Sequence, residues 1–199
     1  GAATLATMNT VTADTLAAAA KAATKRGPAP VHLWNPPFCG DIDMRIARDG
    51  TWFYLGTPIG RAPLVKLFSS ILKREGDAYF LVTPVEKVGI RVDDAPLLAT
   101  DFDVEGAGPS QTLIFTTKTE DSAALGPGHP LRVERDPATG EPAPYVLIRA
   151  NLWALIDRKS FYRLVDLGCH HPHDGQMCFG LWSSGQFFPV IPCSELPPP

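Results

Sequence analysis

Along residues 36–118 the hydrophobic positions change period twice. Ile42, Met44 and Ile46 alternate with Asp43, Arg45 and Ala47, the period-2 pattern of a strand with one buried face. Asp49-Gly50 supplies a tight hairpin turn, and residues 51–55 read as the return strand. Leu64, Leu67, Phe68, Ile71 and Leu72 then recur at helical spacing, which predicts a core-facing helix over 61–73. Four strands follow, at 78–83, 87–92, 97–104 and 112–117. The last two are joined by a hairpin loop at 105–111 holding two glycines and a proline.

Residues 119–130 contain Gly126-Pro127-Gly128 and no period, and read as a linker. Beyond it the first pattern recurs. Leu131, Val133 and Arg135 mirror Met44, Ile46 and Arg48, residues 136–142 form a longer turn, and 145–150 are the return strand. Arg158 opens a helix running to 167, with Phe161, Tyr162, Leu164 and Val165 repeating the apolar stripe. Two short strands at 177–182 and 186–190 follow, turned by Ser183-Ser184-Gly185. Ahead of all this, 16–25 reads as an alanine-rich helix with Asp14 as N-cap and Gly27-Pro28 as its stop. That face is too rich in alanine to bury much area, so loose docking is expected.

The expected fold class is α+β, with two tandem related modules built from a duplicated β-hairpin-plus-helix unit. The expected division is an N-terminal helix and lead-in at 1–35, a first β-rich module at 36–118, and the linker at 119–130. A second β-rich module at 131–191 and a proline-rich tail at 192–199 complete it.

Composition narrows the function classes. The chain has 199 residues, 45% hydrophobic and 20% charged, enough for a sizeable core. The 18 basic and 21 acidic residues leave a net charge of -3, without the basic excess of a dedicated nucleic-acid binder. No apolar run approaches the roughly 20 residues of a spanning helix. The alanine run at 17–20 follows Asp14 and is broken by Lys21, unlike the basic start and longer apolar stretch of a signal peptide. The four cysteines imply no disulfide framework. Cytoplasmic location is the expectation.

Two clusters carry candidate chemistry. In Cys169-His170-His171-Pro172-His173-Asp174, with Cys178 beyond, thiol and imidazole ligands suit zinc. The candidates Cys169, His171, His173 and Cys178 sit in one short loop, however, without the second, distant pair of a structural site. The bland alternative is a solvated histidine loop. In Cys39-Gly40-Asp41-Ile42-Asp43-Met44-Arg45, the alternation puts Asp41, Asp43 and Arg45 in one row on a strand face. Paired carboxylates do acid–base work only where their environments separate their pKa values, and a structural ion pair is the plainer reading. Residues 56–61 lead into a helix N-terminus that can bind an anion, although Pro58 cannot donate and no P-loop Lys-Ser/Thr pair is present. Trp52 and Trp182 read as core residues.

The string Pro37-Phe38-Cys39-Gly40-Asp41-Ile42-Asp43-Met44-Arg45-Ile46, with Asp49-Gly50-Thr51-Trp52-Phe53-Tyr54-Leu55-Gly56-Thr57-Pro58-Ile59-Gly60-Arg61, resembles an uncharacterised bacterial family, domain of unknown function 1285. Residues 79–87 and 181–188 extend the likeness. The resemblance implies a duplicated α+β arrangement, a C-terminal half loosely similar to pleckstrin-homology folds, and a role in signal transduction. It also implies a nucleotide-like ligand held between the modules, near Cys39, Asp41, Asp43, Arg45, Trp52, Tyr54 and Arg61. Three hypotheses stay open: a non-enzymatic sensor for a small ligand without a cofactor, a metal-dependent hydrolase using Asp41/Asp43 or the histidine loop, and a protein–protein interaction module.

Overall fold

The computed structural model describes residues 11–191, so the tail at 192–199 and Cys193 lie outside the described residues. The chain divides between Asp94 and Ala95 into two units, rather than at the linker expected over 119–130.

Helix α1 (Ala13–Ala23) opens on Thr12, not on Asp14. The Thr15 N–H donates to Thr12 Oγ1 at 3.2 Å and the Thr12 N–H donates to Thr15 Oγ1 at 2.9 Å, a reciprocal cap that leaves Asp14 in the first turn. Leu16 and Ala20 are fully buried, and the Ala13 N–H donates to the Tyr54 hydroxyl at 3.3 Å. The helix is therefore docked more firmly than expected, because its small side chains allow close approach.

The first sheet is assembled from two antiparallel meanders. One is β1 (Phe38–Ile46), β2 (Trp52–Tyr54) and β3 (Thr57–Pro58); the other is β4 (Leu72–Glu75), β5 (Ala78–Val82) and β6 (Lys87–Val92). Helix α2 (Ala62–Ser70) connects them, and β1 pairs parallel with β6, giving the order β3-β2-β1-β6-β5-β4. Met44, Ile46, Trp52, Leu72, Leu81 and Val88 are buried on the same side as Phe68 of α2. There the Trp52 ring stacks on Phe68 with centroids 6.3 Å apart. Helix α2 ends three residues before the predicted stop. Leu72 pairs with Leu81 in a hairpin closed by Gly76 at φ 60°, and strand pairing overrides the helical stripe.

The second unit repeats that connectivity. Strands β7 (Leu97–Glu105), β8 (Thr112–Thr117) and β9 (Ser122–Ala124) form one meander, and β10 (Leu131–Arg135), β11 (Pro142–Arg149) and β12 (Leu152–Ile156) the other. Their order β9-β8-β7-β12-β11-β10, with β12 parallel to β7, matches the first sheet strand for strand. The duplication is real, but its register differs from the expectation. Strand β10 is equivalent to β4, and β1 is equivalent to β7. In unit 2 the helix, α3 (Arg158–Asp166), follows the sheet and is capped by Asp157, which accepts from the Ser160 N–H at 3.0 Å. The stretch read as a linker holds β9 and a compact turn bridged between Gly126 and His129.

That short connection dictates curvature. A flat six-stranded sheet spaces its edge strands by roughly 24 Å, about the full reach of the six connecting residues, 125–130, when the chain from Ala124 to Leu131 is extended. The residues are folded into a turn, so the sheet must curl. Arg149 of β11 accordingly reaches Asp121, next to β9, at 3.1 Å. The core of this unit centres on Phe102 and Phe115, with ring centroids 5.4 Å apart.

A third sheet of β13 (Cys169–His173), β14 (Gln176–Ser183) and β15 (Gln186–Ile191) completes the unit. Its Ser183-Ser184 turn is pinned by hydrogen bonds. The Leu113 N–H donates to buried Ser183 Oγ at 2.9 Å, and Ser183 and Ser184 hydroxyls donate to the Leu125 carbonyl at 2.6 and 2.8 Å. This explains why the polar Ser183 of the 181–188 string sits in the interior.

Trp52→Ala should cost about 3–5 kcal/mol and Ser183→Ala about 1–3 kcal/mol, both read from urea midpoints. Asp101 provides a pH test. A hydrogen bond from Arg163, together with the Phe102 N–H, holds its carboxyl below the ordinary carboxylate range. A lowered folded-state pKa gives stability that is present above about pH 4 and lost as pH falls through the folded value. In Asp101→Asn the decline of the urea midpoint on the acid side should be shallower than in the wild type.

Candidate ligand groove on the first sheet

The helix-free face of the first sheet carries the chemistry. The seam registers Phe38 with Lys87, Asp41 with Gly89 and Arg45 with Arg91, with irregular steps between these pairs. Met44 and Ile46 point to the core, so alternation sends Asp41, Asp43 and Arg45 to the opposite, open face. Phe80 of β5 is registered with Gly89 and joins them there.

Cross-strand ion pairs cover part of this face. Asp43 meets Arg91 at 2.7 Å. Arg45 pairs with Asp93, and its guanidinium lies 4.6 Å from the centre of the Phe53 ring. Lys87 Nζ donates to both oxygens of Glu75 at 3.0 and 3.3 Å and sits 4.6 Å from the Phe80 ring centre and 6.0 Å from that of Phe38. The two phenyl rings meet edge to face, 5.9 Å apart. Beside them runs an open groove of about 650 Å³, whose lining includes Phe38, Asp41, Tyr79, Phe80, Lys87 and Arg91 together with Gly89. A Cβ at Gly89 would lie 2.0 Å from Asp41 Oδ1, so the carboxylate fills the space above that glycine.

Of the residues expected near a pocket, only Asp41 lines this groove. Asp43 and Arg45 share its face but are held in ion pairs with Arg91 and Asp93, not with each other as a pairing along the row would have it. Cys39 is exposed, in the irregular step of the seam. Trp52 and Tyr54 fall on the helix side of the sheet, Trp52 in the core and Tyr54 against α1, because their positions on β2 alternate with Phe53. Arg61 is the N-cap residue of α2, and its side chain makes no capping hydrogen bond. The N–H groups of Leu64 and Val65 already donate to its carbonyl at 3.1 and 3.2 Å, and Thr57 and Pro58 are paired as β3, so little of the expected anion site is left.

The histidine segment is strand β13, ending in an Asp174-Gly175 turn, not a solvated loop. His171 packs 4.7 Å from the Trp182 ring and 5.0 Å from Phe187, and His173 6.1 Å from Phe187. Cys178 is buried and disulfide-bonded, while Cys169 is a free, exposed thiol. Among the described residues no three His, Cys, Asp or Glu side chains are grouped to hold a metal ion. No helix there is long and apolar enough to cross a membrane.

Sequence reasoning missed Phe38, Phe80, Lys87 and Arg91 as lining. The strand pattern over 78–83 and 87–92 placed Phe80, Lys87 and Arg91 on strands, but nothing local announced that β6 lies beside β1.

The family models for the N-terminal and C-terminal domains of DUF1285, described as being of unknown function, match residues 29–95 and 96–190. A crystal structure of a DUF1285 family protein from Silicibacter pomeroyi DSS-3 is 67% identical, with a TM-score of 0.82, over 90% of this chain and 96% of that one. Another, from Shewanella baltica OS155, is 35% identical over 62% of this chain and 90% of that one, with a TM-score of 0.49. No curated protein matches.

The ion pairs on this face are exposed, so Asp43→Ala and Arg45→Ala should each shift stability by less than about 1 kcal/mol. The difference should shrink further when the urea titration is repeated in high salt.

Proposed function

The chain belongs to the DUF1285 family, and from that premise we propose that it is a non-enzymatic signalling protein that binds a small, flat, anionic ligand of nucleotide-like build in the groove of its first sheet. The observation carrying this reading is the meeting of aromatic rings and cations in one open groove. Phe38 and Phe80 offer apolar surface to a ring, and stacking of a base on an aromatic side chain is worth roughly 1–3 kcal/mol. Lys87 and Arg91 supply charged donors beside those rings. Both are engaged by Glu75 and Asp43, but in exposed pairs of small net value, so a phosphate can take either cation at little cost.

The lining favours binding over catalysis. It holds no serine, threonine, cysteine or histidine, so no nucleophile–base pair of the usual kind faces the groove.

A thermal-shift panel of mononucleotides, cyclic nucleotides and dinucleotide messengers tests this reading. At a hundredfold excess over Kd, binding to the folded state adds about 2.7 kcal/mol, a rise of several degrees. One nucleotide class should give this rise with the wild type and lose it in Phe80→Ala and Lys87→Ala. A flat response to the whole panel would overturn the proposal.

A further inference from the structure

Four charged side chains line the groove, and three have protein partners. Glu75 holds Lys87, Asp43 holds Arg91, and Asp77 faces Arg74 at 3.9 Å. The fourth, Asp41, accepts no hydrogen bond and forms no ion pair among the described residues. Its position is nevertheless defined. It is registered against Gly89, and its Oδ1 occupies the volume a side chain there would fill. Along β6 the same face continues to Lys87 on one side and Arg91 on the other, each about 6.6 Å away at 3.3 Å per residue. The groove thus presents a bare carboxylate between two cations, above a floor with no side chain.

A carboxylate has acceptor sites on both oxygens and takes two adjacent donors at once. We infer that Asp41 is the specificity-determining residue of the groove, selecting ring-bearing ligands that present two adjacent N–H or O–H donors to the space above Gly89. Asp41 is exposed, so a ligand lacking those donors leaves the carboxylate to water or sets an acceptor against its charge, and binds more weakly. The inference deepens the binding reading above and rests on that same groove. Two parts of a nucleotide carry this donor chemistry: the vicinal hydroxyls of ribose, and the imino and amino groups of a base edge.

The test is isothermal titration of the full chain with guanosine, inosine and 2′,3′-dideoxyguanosine 5′-monophosphates, using wild type, Asp41→Asn and Gly89→Ala. Asp41→Asn should weaken the tightest ligand by about ten-fold or more while leaving the ligand without the selected donors within about two-fold. Discrimination against inosine assigns the donors to the base, and against the dideoxy compound to the sugar. Gly89→Ala keeps the charge but displaces the carboxylate, and should reproduce the loss. Its clash falls on the tip of a flexible side chain, so both variants should melt within a few degrees of wild type. Equal binding of all three ligands by wild type and Asp41→Asn, or an equal loss of all three, would overturn the inference.

If wild type binds no nucleotide, the functional reading fails, and benzamidine becomes the probe: a ring with adjacent N–H donors and no phosphate. Benzamidine binding that disappears in Asp41→Asn then keeps the assignment, and its absence in wild type ends it.

Discussion

Everything in the first unit depends on the parallel pairing of β1 with β6. Each three-stranded meander is antiparallel and local, and alone would expose an apolar face and two edges. Joining the first strand of one to the last strand of the other makes a six-stranded sheet with one continuous inner face. Parallel neighbours require a crossover; in this unit α2 lies in that connection and packs Phe68 against Trp52. The same seam recurs between β7 and β12, where a six-residue turn replaces the crossover helix and α3 is added after the sheet. The duplicated feature is the seam and its strand order, not the hairpin and helix that look alike along the chain.

The seam also creates the groove. Asp41 and Gly89 are far apart in sequence, and no local hydrogen bond brings them together. Once they are registered, the missing side chain at 89 makes room for the carboxylate, and alternation on both strands gathers cations and rings around it. The pairs Asp43–Arg91 and Arg45–Asp93 neutralise much of this face without contributing much stability. Charge there is balanced in sum but unevenly engaged, and that unevenness distinguishes Asp41 from its neighbours.

Much of this was legible in the sequence where pattern and turn chemistry agree. The alternation through Ile42, Met44 and Ile46, the Asp49-Gly50 turn, and the strands at 87–92 and 112–117 all lie where the pattern put them. Strands β9 and β12 were hidden because their turns run through Glu120 and Ala150 at φ 69° and 50°, left-handed positions that glycine usually marks. Strand β13 did carry a signal, Asp174-Gly175, but the cluster of histidines drew attention to metal chemistry instead. For the site, the row of Asp41, Asp43 and Arg45 was readable from period alone. Its facing residues were not, since long-range parallel register leaves no trace within a short window.

The curl of the second sheet bears on how the protein avoids sticking to itself. A strand at a free edge offers unpaired amides on which another chain can add, the first step toward aggregation. Bringing β9 round to β11 leaves that unit less straight, accessible edge to template such growth. The first sheet protects its rims chemically. Its outermost strands are the two-residue β3, containing Pro58, and β4, which carries Lys73, Arg74 and Glu75. A proline lacks the N–H a new strand needs, and charged side chains along an edge resist the close packing of a growing stack. The two units share one connectivity and reach the same colloidal end by different means, one by geometry and the other by composition.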